Sequence, residues 1–178
     1  LGDGMGQAEQ SAQPLADLFL HKTWECSDRL TAGGLLTYPD FPDPACYLAY
    51  LALPGGKCTR LDALSRPVLQ QAHRCYLSHP ALWPQGSFRW AHRPTEALPV
   101  LAFWRGEEIL CLCNPTDGAF SLPIHTERTL RLLHGSGAER DPMFSAVPER
   151  LSDGDVILIP PRTCLLFDHT PDRTAGTG

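Results

Sequence analysis

Val100–Ile124, VLAFWRGEEILCLCNPTDGAFSLPI, is the stretch that decides the fold class. Val100 to Trp104 and Ile109 to Cys113 are short apolar runs joined across Arg105-Gly106-Glu107, a brief glycine-containing connection of the kind that links two strands of a β-hairpin. The second run stops at Asn114-Pro115-Thr116-Asp117-Gly118. A proline without an N–H and a glycine free to take positive φ turn the chain back there, into Ala119 to Pro123. The expectation is a three-stranded meander.

Working outward, Ser87 to His92 reads as a strand with Phe88 and Trp90 on one side, and Thr129 to His134 as another, closed by Gly135-Ser136-Gly137. The charged stretch 137–152 is a loop with a short strand near Met143 to Val147. Asp155 to Ile159 and Thr163 to Phe167 flank Pro160-Pro161-Arg162 and give a last hairpin. From Phe88 onward this makes roughly seven or eight short strands and no helix, the pattern of an antiparallel β-sandwich. Residues 170–178 read as a disordered tail.

The segment before the strands is loop-rich. Leu1 to Gln13 is glycine-rich and then polar, and Leu15 to Trp24 forms a short helix after Pro14. Between Thr31 and Gly56, Gly33-Gly34, Pro39, Pro42, Pro44, Pro54 and Gly55-Gly56 leave room for one regular element only, Ala45 to Leu53. Tyr38, Phe41, Tyr47 and Tyr50 are there either to anchor the loop or to stack on a ligand ring. Leu61 to His79 is the one long amphipathic helix: Leu61, Leu64, Val68, Ala72, Cys75, Tyr76 and His79 share a stripe. Ser65 is placed to cap its main body, and His79-Pro80 ends it.

At 178 residues the chain holds one ordinary domain, or one domain and part of another. A net charge of -5 with scattered basic residues argues against nucleic acid and anionic membranes as partners. No apolar run is long enough for a membrane helix and no secretory leader opens the chain, which begins at Leu1 and so reads as a fragment. Seven cysteines, odd in number and irregular in spacing, read as reduced thiols in a cytoplasmic protein. Cys111 and Cys113, two apart in a strand, share a face as small core residues rather than as a metal knuckle.

The chemistry-bearing patterns are sparse. Gly2-x-Gly4-x-Gly6 lacks a preceding strand and a clear βαβ unit, so it is not read as a dinucleotide loop. His73 and His79 find no metal-ligand partner on their helix, and adjacent Glu107 and Glu108 point to opposite faces as solvated turn charges. No nucleophile elbow, Walker loop or zinc-binding His-Glu-x-x-His helix occurs. No catalytic residue, metal or cofactor is expected in this chain.

One arrangement is nevertheless distinctive. A helix ending in His79-Pro80-Ala81-Leu82 is followed by Gly86-Ser87-Phe88-Arg89, then Val100-Leu101-Ala102-Phe103 and a charged hairpin, then Ile109-Leu110-Cys111-Leu112-Cys113-Asn114. Val156-Ile157-Leu158-Ile159-Pro160-Pro161 and an apolar strand close the series. In order and spacing this resembles the C-terminal end of the α-amylase family of glycoside hydrolases, where the last helix of a (β/α)₈ barrel leads into a β-sandwich. The resemblance covers residues 61 to 168. It implies that residues 1–85 are the remnant of a barrel end and 86–169 a C-terminal sandwich. It further implies that Asp3, in Gly2-Asp3-Gly4, lies near the substrate face, and that the parent is a retaining α-glycosidase or glucosyltransferase acting on an oligosaccharide or sucrose-like α-glucoside. The family's catalytic carboxylates precede this region, so the chain is expected to be a supporting part, inactive alone. The alternative is a carbohydrate-binding or structural module, with Trp83, Trp90 and Trp104 as candidate stacking residues. Phe103 and Trp104 alternate, so one of them is expected to face outward. Loss of the barrel is expected to leave the helix stripe partly uncovered.

Overall fold

The computed structural model describes residues 36–38, 44–54, 57–59, 66–83, 85–136 and 147–169. Chain order runs β1 (Leu36–Tyr38), α1 (Pro44–Ala52), β2 (Lys57–Thr59), α2 (Arg66–Ser78) and a 3-10 turn (Pro80–Leu82). Eight strands follow among the described residues: β3 (Phe88–His92), β4 (Leu101–Arg105), β5 (Ile109–Asn114), β6 (Phe120–Pro123), β7 (Leu130–Ser136), β8 (Arg150–Leu151), β9 (Val156–Ile159) and β10 (Thr163–His169). The expected antiparallel β-sandwich is present. A six-stranded sheet in the order β3-β4-β5-β10-β7-β8 packs against a two-stranded sheet, β6-β9.

The β4–β5 hairpin forms as expected, with Arg105 opposite Ile109. Its tip is a tight turn in which Gly106 (φ 62) and Glu107 (φ 56) both take the left-handed conformation that matches the right-handed twist of the strands. The meander does not continue. β6 leaves the large sheet and pairs with β9, and β10 returns between β5 and β7, so the expected last hairpin is likewise absent. Two prolines between β9 and β10 remove the amides that a hairpin turn would use, and the chain crosses from one sheet to the other instead. Asn114 holds both crossings together. Its Nδ2 donates to the carbonyls of Gly118 (2.6 Å), Ile159 and Pro160 (both 3.1 Å), while its Oδ1 accepts from the amide and hydroxyl of Thr116.

The six-stranded sheet is covered on both faces, which is why β4 and β5 read as unbroken apolar runs rather than alternating ones. Leu101, Phe103, Ile109, Cys111, Cys113, Cys164 and Leu166 face a helical layer made of Leu48–Leu53 from α1 and its end, Ala72 and Cys75 from α2, and Leu82. Ala102, Trp104, Leu110, Leu112, Leu165 and Phe167 face the second sheet, through Leu122, Ile124, Ile157 and Ile159. One expectation is corrected here. Phe103 and Trp104 are both buried, since neither face of the sheet is open. Of the helix stripe, Ala72 and Cys75 are buried in the chain's own core, while Tyr76 and His79 are half-buried at its margin. Cys75, Cys111, Cys113 and Cys164 are buried in that core outside any disulfide, with the sulfurs of Cys111 and Cys164 3.6 Å apart.

The least expected feature is the first one among the described residues. β1 and β2 pair in parallel, Leu36 beside Lys57 and Tyr38 beside Thr59, with α1 lying in the connection between them. Parallel neighbours need such a crossover because the chain must return to its starting edge. A βαβ unit therefore exists where the proline and glycine density promised mostly loop. The short Ala45–Leu53 element is a full helix, and Tyr50 is completely buried in it, so that ring meets no ligand. The expected helix over 15–24, Ser65 as cap, Asp3, the tail 170–178 and all of the strand expected over Met143 to Val147 except Val147, which lies in a bend, are outside the described residues, as are the side chains of Tyr38, Phe41 and Tyr47.

Candidate functional site

The helical layer meets the sheet through residues that the sequence reading singled out for another reason. Gly86 lies so close to the 3-10 turn that a Cβ there would stand 2.1 Å from the Ala81 carbonyl oxygen, and one on Gly106 would stand 2.9 Å from the Ala81 Cβ. Ala81 is thus held between two glycines, one before β3 and one in the β4–β5 turn. Beneath them lies Arg105, fully buried, where sequence reading placed only a hairpin connection. Desolvation pushes its guanidinium pKa down to about 10, still well above neutrality. Nothing in the local sequence marks it as internal, because a charged residue beside a turn ordinarily faces water.

A second feature, a cleft of about 1180 Å³, opens beside the same β4–β5 turn, with Gly106 in its lining. Arg89, Trp104, Glu107, His125, Asp153 and His169 are among its lining residues. Arg89 of β3 donates from Nε and Nη2 to the two carboxylate oxygens of Glu107 at 3.0 and 2.9 Å. This hydrogen bond raises the Arg89 pKa and holds the Glu107 carboxyl below its ordinary range. Arg89 also lies over the Trp104 ring, 5.6 Å from its centroid, and His169 stacks on the same ring at 5.5 Å. These neighbours come from strands on either side of β4 and leave the indole only 4% exposed. Across the cleft the amide of Thr126 donates to Asp153 Oδ1 at 3.0 Å.

Asp168 is the one carboxyl here whose proton affinity is raised, chiefly by burial, with His79 and His169 pulling the other way. Glu107 and Asp168 are therefore shifted in opposite directions, a pattern that acid–base pairs share. Their placement differs from such a pair. Strand alternation puts Asp168 with Ile109 on the helical side, whereas Glu107 is bonded to Arg89, which lies over Trp104 on the sandwich side. Each carboxyl has its own structural neighbours. Among the described residues no group of three or more His, Cys, Asp or Glu side chains is placed to hold a metal ion. The cleft offers a rim of hydrogen-bonding groups over an aromatic floor that its own cation and imidazole already occupy.

The three candidate tryptophans do not form one platform. Trp83 lies at the end of the helical layer, 36% exposed, its Nε1 donating to the Tyr76 carbonyl at 2.8 Å. Trp90 packs on the helical side, edge-to-face on both Phe88 and Phe103, which are tilted against each other, and its buried Nε1 meets no hydrogen-bond partner among the described residues. Trp104 is on the sandwich side. Trp90 and Trp104 both border a smaller groove of about 230 Å³ between β3 and β6, which Trp83 does not reach.

No protein-family model matches the chain, and no curated protein matches it. Among solved structures, similarity is found to the trehalulose synthase MutB from Pseudomonas mesoacidophila MX-45, at 18% identity and a TM-score of 0.43. A mutant of MutB in complex with glucose gives 18% and 0.45, and one in complex with the substrate sucrose 18% and 0.43. In each case the match covers 57% of this chain and 17% of the other, so the chain spans about a sixth of the length of these enzymes. Similarity at this level assigns neither family nor function.

Proposed function

We propose that this chain is the supporting C-terminal part of an α-glucoside-acting hydrolase or transglycosylase: the last units of a barrel, residues 1–85, welded to a β-sandwich, residues 86–169. The observation that carries this reading is the junction. A parallel β1–α1–β2 crossover and a further helix, α2, run directly into an antiparallel sandwich. Parallel sheets occur almost only as layers with helices on their faces, and two strands of three residues are too short to stand alone. Further parallel strands flanking β1 and β2, as a barrel would supply, complete such a unit. The sandwich then serves as a buttress: it buries the helical layer and fixes its position. Substrate, an oligosaccharide or a sucrose-like α-glucoside, belongs to barrel residues rather than to the cleft described above. The reduced thiols in the core fit a cytoplasmic setting.

The test is direct. The purified chain is incubated with p-nitrophenyl α-glucoside, sucrose and maltooligosaccharides, and its tryptophan emission is titrated with the last of these. The expected result is no turnover above buffer and no saturable shift. Turnover would overturn the buttress reading. A saturable shift without turnover would favour the alternative carbohydrate-binding module, with Trp83 as the exposed ring.

A further inference from the structure

Five backbone carbonyls converge on the Arg105 side chain, and we propose that they form a built guanidinium-binding site whose occupancy holds the helical layer on the sandwich. Nε donates to the Ser87 carbonyl at 3.1 Å; Nη1 donates to those of Ala52 and of Leu82, the latter at 2.9 Å. Nη2 donates to the carbonyls of Trp83 at 2.5 Å and Gly86 at 3.2 Å. A guanidinium has five N–H donors in one plane, and here each meets an acceptor. Among the described residues all of these partners are main-chain oxygens.

The acceptors come from three segments, the end of α1, the 3-10 turn and the lead into β3; the last two are also joined by the Gly86 amide, which donates to the Trp83 carbonyl at 2.9 Å. Ala52 is the last residue of α1, where the carbonyls lack partners within the helix and carry the negative end of its dipole. Leu82 and Trp83 close the 3-10 turn, and Gly86 and Ser87 lead into β3. The site is shaped for its occupant: a Cβ on Gly86 would stand 3.0 Å from Nη2. With the guanidinium gone, the Trp83 and Ser87 carbonyls keep the amides of Gly86 and Gly106, but the buried Ala52 and Leu82 carbonyl oxygens lose the donor they share, a cost relieved when α1 lifts away. The ladder that holds β4 to β5 and β5 to β10 loses nothing by that movement. An ammonium, with three donors and no plane, cannot replace the fork.

Emptying the site and refilling it tests this. In Arg105→Gly, amide exchange at Leu48 to Ala52 is expected to quicken by at least about tenfold relative to Ile109 to Cys113, the effect of one or more lost buried hydrogen bonds. Guanidinium chloride at tens of millimolar, far below the molar range in which it unfolds proteins, is expected to reverse this saturably. Urea at the same concentration is expected to do nothing. Arg105→Lys is expected to exchange faster than the parent in α1 and to ignore guanidinium, its cage being occupied by the wrong cation. The proposal is overturned if exchange in α1 and β5 rises together, or if guanidinium slows neither. Should Arg105→Gly not fold by itself, refolding is run with and without the same guanidinium: recovery only with it supports the site, and recovery in neither condition overturns it.

Discussion

A methyl group at position 86 would collide with a backbone oxygen rather than with a side chain that could swing aside. Gly86→Ala is therefore expected to cost about 1–3 kcal/mol, in the range of overpacked sites, read as a Tm lower by roughly 3–10 °C. Gly118→Ala, where a Cβ would meet only the Phe120 ring at 3.5 Å, is the control and should change Tm far less. Asp168 gives a prediction in pH. Burial raises its folded pKa, so the stability tied to its protonated form is fully present below the unfolded carboxylate value and is lost as pH rises through the folded one. Asp168→Asn should thus raise Tm at pH 7 and do little at pH 3. Thermal melts of parent and variant at the two pH values check this, and an equal effect at both would show that packing rather than charge is responsible. Glu107, exposed and paired with Arg89, works in the opposite sense but weakly, since ion pairs so open to water contribute a few tenths of a kcal/mol. At this scale the sequence is readable for glycines, since Gly86-Ser87-Phe88 and Arg105-Gly106 stand out as turns whatever packs against them. It was unreadable for Arg105, because burial of a cation depends on where five distant carbonyls arrive.

Strands were legible as elements and illegible as partners. The apolar runs of β4, β5, β9 and β10 stand out in the sequence, yet of the three reversals that follow β4, β5 and β9 the first alone makes a hairpin, because its glycine takes the required conformation. The other two reversals resemble turns equally well, and what separates them is Asn114, whose side chain bonds across to residues 159 and 160. Such a long-range contact leaves no periodic trace. The short parallel pair β1–β2 was hidden for the same reason: three residues carry no periodicity. Element by element, the sheet's double burial makes a specific prediction. Leu101→Ala empties the helical face and Leu112→Ala the sandwich face, both from fully buried positions. Each is expected to cost about 2–5 kcal/mol, measured by urea denaturation. A sheet with one solvated face would show the loss on one side only.

For the molecule as a whole, the consequence of one sheet serving two cores is cooperative unfolding. A helical layer and a sandwich drawn as separate blocks along the chain would melt in two steps, each with its own core. Here β4, β5 and β10 supply residues to both, Phe103 and Leu166 to one, Trp104 and Phe167 to the other, so neither core survives the loss of the sheet between them. With Trp24, Trp83 and Trp90 replaced by phenylalanine, Trp104 emission follows the sandwich side, and ellipticity at the helical minimum follows α1 and α2. The two urea curves are expected to coincide. Leu112→Ala, which touches only the sandwich core, should move both midpoints down together by roughly 1–2 M. If the fluorescence curve alone shifts, the helical layer has a core of its own and the sheet is a floor beneath it rather than a shared wall.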